Sequence, residues 1–236
     1  MGSKPLVITL LQSRVCCQPG TIENLFQRIH ECGWQIKGIT VGEFFEPVKR
    51  WSEYNAQVSS ELAIAYQHQQ LSFRVIEGGP KDMIVLHAEL MWSEEEKVSR
   101  LRLYTDHSAM FTMLDNLDGK DYRAQNAQRV LGLAKELCLV WKPGFAWIDR
   151  CRMSGYTSTE DVNQLRIPHI YWGNFFGPSY VREFGEGYFL NAPGLKVARI
   201  DGGGVLYVLS PDLTGQYKKE LVERIKAYFD VDSVRC

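Results

Sequence analysis

A histidine and a glutamate two positions apart, His87 and Glu89, are the residues whose types best suit acid–base or metal chemistry. Alternate side chains of a β-strand point to the same face, so a strand here would place both groups side by side. His-x-Glu is half of a zinc-deaminase signature, but the other half, Pro-Cys-x-x-Cys, is absent from the chain. The spacing therefore favours a polar pair on a sheet face, and we predict no metal and no other cofactor.

Cysteine nucleophiles are a second chemical option, because the chain has 6 cysteines. A cysteine nucleophile needs a base beside it, and His30 and Cys32 lie too close along a helix to face each other. The adjacent pair Cys16-Cys17 and the lack of any Cys-x-x-Cys indicate reduced thiols rather than a disulfide framework. No Gly-x-Ser-x-Gly nucleophile elbow occurs either. We predict that the protein is not an enzyme, and keep an enzyme that uses a cysteine or the histidine–glutamate pair as an alternative.

The run Asp201-Gly202-Gly203-Gly204 could present backbone N–H groups to a phosphate. Phosphate loops lead from a strand into a helix, whereas this run leads into the apolar stretch 205–209, which has strand character. Glycine also suits a tight hairpin, because type I′ turns require positive φ angles. The motif therefore predicts a hairpin turn and no phosphate site.

Composition excludes several classes of function. The chain of 236 residues carries 27 Lys+Arg against 28 Asp+Glu, a formal net charge of -1, and is 45% hydrophobic. Disordered chains are poor in apolar residues, and proteins that bind nucleic acid through bulk charge are basic, so neither class fits. No apolar run approaches the roughly 18–20 residues of a membrane span. We expect a globular, cytoplasmic protein without direct nucleic-acid or membrane contacts.

Hydrophobic periodicity indicates isolated helices separated by runs of strands. Helical stripes cover 22–29, 54–66, 127–141 and 217–229. Strand patterns cover 6–11, 34–45, 71–77, 83–92, 98–105, 145–149, 167–173, 195–200 and 205–209. Because the strands come in runs, we predict an α+β fold whose mostly antiparallel sheet is flanked by helices. We expect a single domain over 1–236, and the polar stretch 115–123 as the division if there are two subdomains.

The segment 167–193 carries the densest pattern of large side chains. Its many aromatic residues occur among glycines and prolines, which favour a compact, turn-rich stretch. Tyr, Trp and Arg commonly anchor protein interfaces, because they bury much area and keep a polar tip. We expect the phenylalanines to fill the core, namely Phe175, Phe176, Phe184 and Phe189. A surface role and a core role are equally open for Asn174, Tyr180, Arg182 and Glu183.

Three stretches of the second half form a distinctive pattern. They read Tyr-Trp-Gly-Asn-Phe-Phe-Gly-Pro-Ser-Tyr at 171–180, Phe-Leu-Asn-Ala-Pro at 189–193 and Asp-Gly-Gly-Gly-Val-Leu-Tyr at 201–207. Together they resemble a family of bacterial polymorphic-toxin immunity proteins, the immunity protein 52 family, which is associated with type VI secretion. The first half is compatible with this family but carries none of its distinctive residues.

The resemblance implies a non-enzymatic protein that binds a cognate secreted toxin, in this family a DNase of the restriction-endonuclease fold. We predict that binding occludes the active site or substrate groove of the toxin. It supplies no catalytic residues and no interface, so we expect local acidic clusters and aromatic anchors to make the contact. The candidate partner-binding residues are Glu94, Glu95, Glu96, Trp172, Asn174, Tyr180, Arg182, Glu183 and Glu186. A small-ligand-binding module that uses the aromatic segment as a groove is a further alternative, and the oligomeric state stays open.

Overall fold

The computed structural model places strands and helices in the runs that the hydrophobic pattern predicts. The residues that it describes are 5–12, 20–40, 56–77, 84–93, 95, 98–105, 119–150, 157–211, 213, 217–231 and 233–234. The strands are β1 (Leu6–Gln12), β2 (Trp34–Thr40), β3 (Gln70–Glu77), β4 (Val85–Ser93), β5 (Val98–Tyr104), β6 (Phe145–Arg150), β7 (His169–Ile170), β8 (Gly173–Phe176), β9 (Lys196–Ile200), β10 (Gly204–Val208) and β11 (Ser233–Val234). The helices in these ranges are α1 (Thr21–Glu31), α2 (Ala56–His68), α3 (Arg123–Trp141), α4 (Thr159–Asn163), α5 (Pro178–Phe184), α6 (Glu186–Leu190) and α7 (Lys219–Phe229).

One large antiparallel sheet organises the molecule. Its nine strands run in the order β2-β3-β4-β5-β1-β6-β8-β10-β9. The N-terminal strand β1 lies between β5 and β6 and pairs with both, so it joins the meander of the first half to the strands of the second. Strands β7 and β11 form a separate parallel pair. The fold is α+β, as predicted, and the described strands of the two halves share this sheet.

The first face of the sheet is covered by α1, α2 and α3. The predicted stripe of α1 is buried, because residues three and four apart lie on one side of a helix. It packs with the buried face of α3 over alternate side chains of the strands, such as Leu6, Ile8 and Leu10 of β1. An ion pair between Arg28 and Glu136, 3.8 Å apart, also links α1 to α3. This layer forms the larger hydrophobic core, which extends across the sheet from β2 to β9.

The second face is covered over the strands of the second half. There, α4 to α7 pack a second core onto outward side chains of β1, β6, β8 and β10. Rings dominate this core: the ring centroid of Phe176 lies 5.4 Å from that of Phe145 and 4.4 Å from that of Phe189. The Trp147 and Tyr171 rings stack with centroids 4.7 Å apart. Among the described residues, no side chain of β2, β3 or β4 belongs to this second core.

Local predictions are confirmed at the glycine-rich hairpin. Gly202 and Gly203 occupy the turn between β9 and β10 with φ angles of 92° and 86°, which L side chains rarely adopt. A Cβ atom at Gly204 would lie 2.5 Å from the Phe175 ring, so close packing also requires glycine at that position. The run of glycines is therefore explained by the turn and by the ring packed against it.

Two expectations for the aromatic segment are wrong. The stretch 167–173 is not one strand, because the chain bends at 171–172 between the short strands β7 and β8. Phe184 is 39% exposed rather than part of the core, since it lies at the end of α5 beside Gly185. The other three phenylalanines of the segment are buried as expected. Residues 41–45 and 115–118 lie outside the described ranges.

Candidate binding face

Polar side chains occupy the part of the second face that α4 to α7 leave uncovered. In β4, alternate residues are buried, and the residues between them point away from the first core. The same alternation holds in β3 and β5. We call the outward side chains of these strands the open face: Ser72, Arg74, His87, Glu89, Met91, Arg100, Arg102 and Tyr104. Most of them are half-buried, and Arg74 and Met91 are exposed.

Strand register sets the neighbours on the open face. Arg102 lies opposite Glu89 on β4 and opposite Thr9 on β1. Arg100 lies two residues from Arg102 on the same face of β5, and it is opposite Met91 on β4 and Leu11 on β1. Directly opposed side chains of antiparallel strands lie close enough to interact. The register therefore places two arginines side by side where the open face meets the covered half of the sheet.

Tyr104 brings the predicted pair His87 and Glu89 into one cluster. Its hydroxyl donates a hydrogen bond to Glu89 Oε1 at 2.8 Å, and its ring stacks on the His87 ring with centroids 5.8 Å apart. The prediction that the two residues share one sheet face is confirmed. Within the described ranges, no group of three His, Cys, Asp or Glu residues could hold a metal ion. The cluster is a hydrogen-bonded and stacked array that holds Glu89 beside the arginines.

The two arginines differ in their surroundings. Arg100 Nη2 donates a hydrogen bond to Met91 Sδ at 3.1 Å, a weak acceptor. Burial lowers the pKa of Arg100, and the neighbouring positive charge of Arg102 lowers it further, while Glu89 opposes that shift. Arg102 buries its Nε atom, and this atom has no hydrogen-bond partner. This part of the face is therefore rich in positive charge that the protein balances only in part.

A cavity of about 360 Å³ lies at the border between the open face and the covered half. Both arginines, Met91 and Thr9 line it from one side, and Trp147 lines it from the other. Thr9 is only 2% exposed, and its Oγ1 atom has no hydrogen-bond partner among the described residues. The cavity thus combines buried polar atoms, two guanidinium groups and apolar surface, which is the usual make-up of a ligand site.

The start of α4 closes the cavity on the covered side. Thr157, Ser158 and Thr159 line it, and the Thr157 N–H donates a hydrogen bond to the Tyr171 hydroxyl at 3.0 Å. Ser158 caps the helix in a reciprocal arrangement with Asp161, because each side chain accepts a hydrogen bond from the other residue's backbone N–H. The capped start of α4 and the aromatic core beneath it therefore fix the position of this side of the cavity.

The described cysteines lack the surroundings of an activated nucleophile. Cys32 and Cys138 are both free thiols, as predicted for these two. Burial raises the pKa of the Cys138 thiol strongly, and burial also raises the pKa of Cys32. A nucleophilic cysteine has its pKa lowered instead. Neither thiol therefore suits the cysteine-based alternative.

Three of the predicted partner-binding residues lie inside the protein. Trp172 is fully buried, and its indole N–H donates to the Ser210 carbonyl at 3.0 Å. Asn174 accepts a hydrogen bond from the backbone N–H of Tyr171 and donates one to its carbonyl, at 2.9 and 2.8 Å. The Tyr180 hydroxyl donates to the Arg166 carbonyl at 2.9 Å, and burial raises its pKa. These three side chains support the fold from within and offer no surface to a partner, which corrects their expected position.

The charged members of the predicted set lie on the surface. Glu95 is exposed in the turn between β4 and β5, and its neighbours at 94 and 96 lie outside the described residues. Arg182 and Glu183 are exposed on α5. Glu186 is half-buried and forms an ion pair with Arg199 across to β9. The structure does not bring Glu95 together with the α5 residues in one cluster of described contacts.

Sequence reasoning missed the arginine pair and Thr9. The signal was present in β5, where Arg100 and Arg102 alternate with leucines in Ser-Arg-Leu-Arg-Leu-Tyr and so share one face of a strand. Nothing local places Thr9 beside them, because β1 and β5 are separated by most of the first half of the chain. Only the sheet order brings these three residues together.

Comparison with models of protein families finds no match for this chain. No curated protein sequence matches it either. Among solved structures, the chain is similar to one described as Pseudomonas aeruginosa T6SS protein PA0821, with a TM-score of 0.56 and 11% sequence identity. The similarity covers 96% of this chain and 73% of that one. At this level of identity the likeness concerns the fold. No described helix has both the length and the apolar character needed to cross a membrane.

Proposed function

We propose that this chain is an immunity protein, which binds a cognate secreted toxin and neutralises it by occluding the toxin's active site. The observation that carries the proposal is the open face, a sheet surface that none of the described helices covers and that bears charged, aromatic and apolar side chains. The exposed charged side chain of Arg74 lies there opposite His87, and the exposed apolar side chain of Met91 lies farther along the same face of β4. Such a mixture suits recognition of another protein.

The groups with catalytic potential support binding rather than catalysis. Glu89 accepts a hydrogen bond from Tyr104, whose ring stacks on His87, so the histidine–glutamate pair is held within the sheet surface. Burial raises the pKa of both described cysteine thiols, which makes them poor nucleophiles. We therefore assign the cluster around Tyr104 a role in shaping the open face.

The class of partner is supported by two independent likenesses. The fold resembles that of a Pseudomonas aeruginosa T6SS protein over 96% of this chain, which supports a link to type VI secretion. No family model matches the chain, so the pattern at 171–180, 189–193 and 201–207 supports the proposal only through its likeness to immunity protein 52, whose toxins are DNases of the restriction-endonuclease fold. We propose such a nuclease as the toxin and the cytoplasm as the place where it is inhibited.

Charge limits how the inhibitor can recognise a nuclease. The net charge of -1 makes wholesale imitation of DNA a poor mechanism, because that requires a strongly acidic surface. The open face carries arginines, while Glu95 and Glu183 are exposed acidic residues elsewhere on the surface. We propose that local patches of both signs meet complementary patches on the toxin.

Co-purification and rescue test this proposal. The toxin encoded beside this chain should form a stable complex with it, and cells that express the toxin should survive only when this chain is co-expressed. The variant Arg74→Glu should weaken the complex at least tenfold, since Arg74 is exposed on the open face. Arg224→Glu is the matched control, because Arg224 is exposed on α7, on a different surface.

Three outcomes would contradict the proposal. Absence of both binding and rescue with the neighbouring gene product would reject the immunity function. Equal weakening by the two charge reversals would reject the open face as the contact surface. Stoichiometric zinc in the purified protein would instead favour the enzyme alternative built on His87 and Glu89.

A further inference from the structure

The cavity at the edge of the open face has the features of a site for an anionic group. Its floor carries Arg100 and Arg102, which are adjacent on one strand face. Only one acidic side chain, Glu89, lies opposite them in the register of the described strands, and it already accepts a hydrogen bond from Tyr104. The site therefore holds more positive than negative charge.

Two buried polar atoms in this site lack partners. Within the described part of the chain, Thr9 Oγ1 and Arg102 Nε each have no hydrogen-bond partner, and Thr9 lies directly opposite Arg102 in the sheet. Buried polar groups are usually hydrogen-bonded, because an unpaired one carries a desolvation cost. A hydroxyl can donate one hydrogen bond and a guanidinium N–H another, so both atoms could bind the same anion.

The walls of the cavity select for a small, partly apolar group. Trp147, Leu11 and Met91 line it together with the arginines. The volume of about 360 Å³ is enough for one or two side chains but not for a folded element. A planar carboxylate matches the donor fork of arginine, and the methylene groups of Asp or Glu match the apolar wall.

We propose that this cavity binds the carboxylate side chains of an acidic segment of the toxin, an assignment that rests on the proposed function. Arg100 and Arg102 supply the charge, and Thr9 Oγ1 donates a hydrogen bond to a carboxylate oxygen. A bound carboxylate also relieves the repulsion between the two guanidinium groups, which contributes to the lowered pKa of Arg100. This reverses the expectation that acidic clusters on this chain make the main charged contact.

A fluorescein-labelled hexaglutamate peptide tests the site directly, with fluorescence polarisation as the readout. The intact protein should bind it, while hexaglutamine and hexalysine peptides should not bind. The double variant Arg100→Gln/Arg102→Gln should weaken hexaglutamate binding at least tenfold. The matched control Arg199→Gln/Arg224→Gln removes the same charge at exposed positions outside the open face and outside the residues that line the cavity, and should retain most of the binding.

Smaller changes keep the test valid if the double variant fails to fold, which circular dichroism will detect. Thr9→Val preserves the side-chain shape and removes the hydroxyl, and should weaken peptide binding by about threefold to tenfold, the effect of one hydrogen bond. Arg102→Lys keeps the charge but loses the fork of donors, and should weaken it by a similar factor. Unchanged binding in both variants would overturn the proposal.

The remaining outcomes separate this proposal from the proposed function. Failure of the intact protein to bind hexaglutamate, or equal loss in the control double variant, overturns the carboxylate site. Tighter binding of a labelled oligothymidine than of hexaglutamate at the same cavity overturns the assignment to an acidic protein segment. If either result is obtained and the intact protein still co-purifies with the toxin, the immunity function is retained and only the cavity assignment is rejected. If the protein binds the peptide but not the toxin, the immunity function is rejected.

Discussion

The second face of the sheet has two regions that contrast in chemistry although one continuous strand register joins them. Along one row of paired residues, the side chains change from polar and charged to aromatic and amide at β1. The row runs through Ser72, Glu89, Arg102, Thr9, Trp147, Asn174 and Tyr207. The covered region past Thr9 is buried beneath helices, whereas the open region before it carries charge. The comparison teaches that the described helices α4 to α7 cover the strands whose outward side chains are aromatic and leave the strands with charged side chains open.

The two regions also satisfy their polar groups differently. In the covered region, Asn174 makes hydrogen bonds to both backbone groups of Tyr171. At the border, Thr9 Oγ1 and Arg102 Nε are left without partners. A surface that binds a partner can leave such polar groups unpaired in the free protein, because the partner supplies the missing hydrogen bonds. The following substitutions test this contrast, beginning with the largest expected effect.

Removing Phe176 should break the covered region. Its ring contacts the rings of Phe145, Phe189 and Phe229, with centroids 4.4 to 6.2 Å apart. Phe176→Ala should lower the free energy of unfolding by about 3–5 kcal/mol, since the cavity left in a dense core cannot collapse fully. Urea denaturation followed by tryptophan fluorescence measures this. A loss below about 1 kcal/mol would mean that the aromatic core is loosely packed.

Replacement of Asn174 should have the second largest effect on the free energy of unfolding. Asn174→Ala leaves the backbone N–H and carbonyl of Tyr171 without the partners they have in the folded protein. We expect a loss of about 2–3 kcal/mol in the free energy of unfolding, the cost of buried groups left unpaired. Thermal denaturation monitored by circular dichroism provides the measurement. Toxin binding by the folded fraction should persist, because the side chain does not reach the surface; its selective loss would contradict that position.

Thr9→Val should act in the opposite direction. The hydroxyl of Thr9 is buried without a partner, so its replacement by a methyl group should raise the free energy of unfolding by about 1 kcal/mol. The same substitution should weaken binding of the acidic peptide. A gain in stability combined with a loss of binding would identify the border as a functional site; destabilisation would mean that the hydroxyl has a structural role.

Surface charges should have the smallest effect on stability. Arg199 is paired with Glu186, but the two side chains are 70% and 38% exposed, so solvent weakens their attraction. Arg199→Gln should lower the free energy of unfolding by less than about 1 kcal/mol. Denaturation in low and high salt measures the difference. A larger loss of stability that persists in high salt would indicate that the ion pair stabilises the packing of α6 against β9.

The three consecutive glutamates at 94–96 allow a kinetic test of whether acidic residues outside the cavity contribute to toxin association. Replacing Glu94, Glu95 and Glu96 together with glutamine should slow association with the toxin and reduce its dependence on salt, if acidic steering contributes. Stopped-flow association rates measure this. An unchanged rate, together with weakened binding in the arginine variants, would assign the charged contact to the cavity alone.

Much of the fold could be predicted from local sequence. The stripe of Ile22, Leu25, Phe26 and Ile29 predicted α1, and the alternation in 83–92 predicted β4. The glycines at 202–203 predicted the hairpin, because their backbone conformation excludes most other residues. The stretch 167–173 was mistaken for one strand, since a bend between two short strands leaves the apolar pattern almost unchanged.

The candidate site was less accessible to sequence reasoning. The shared face of His87 and Glu89 followed from their spacing, but Trp172, Asn174 and Tyr180 were assigned to a partner and lie in the core. Amino-acid type alone cannot separate these roles, because large aromatic residues are common both in cores and in interfaces.

The sequence by itself therefore determined the helices, most strands, the hairpin turn and the class of fold, since these depend on periodicity over short stretches. Only the tertiary structure decided which residues form the open face and its cavity. It placed β1 between β5 and β6, which brought Thr9 against Arg102, and it positioned the last helices over one half of the second face. Both depend on contacts between residues far apart in the chain, which no local pattern encodes.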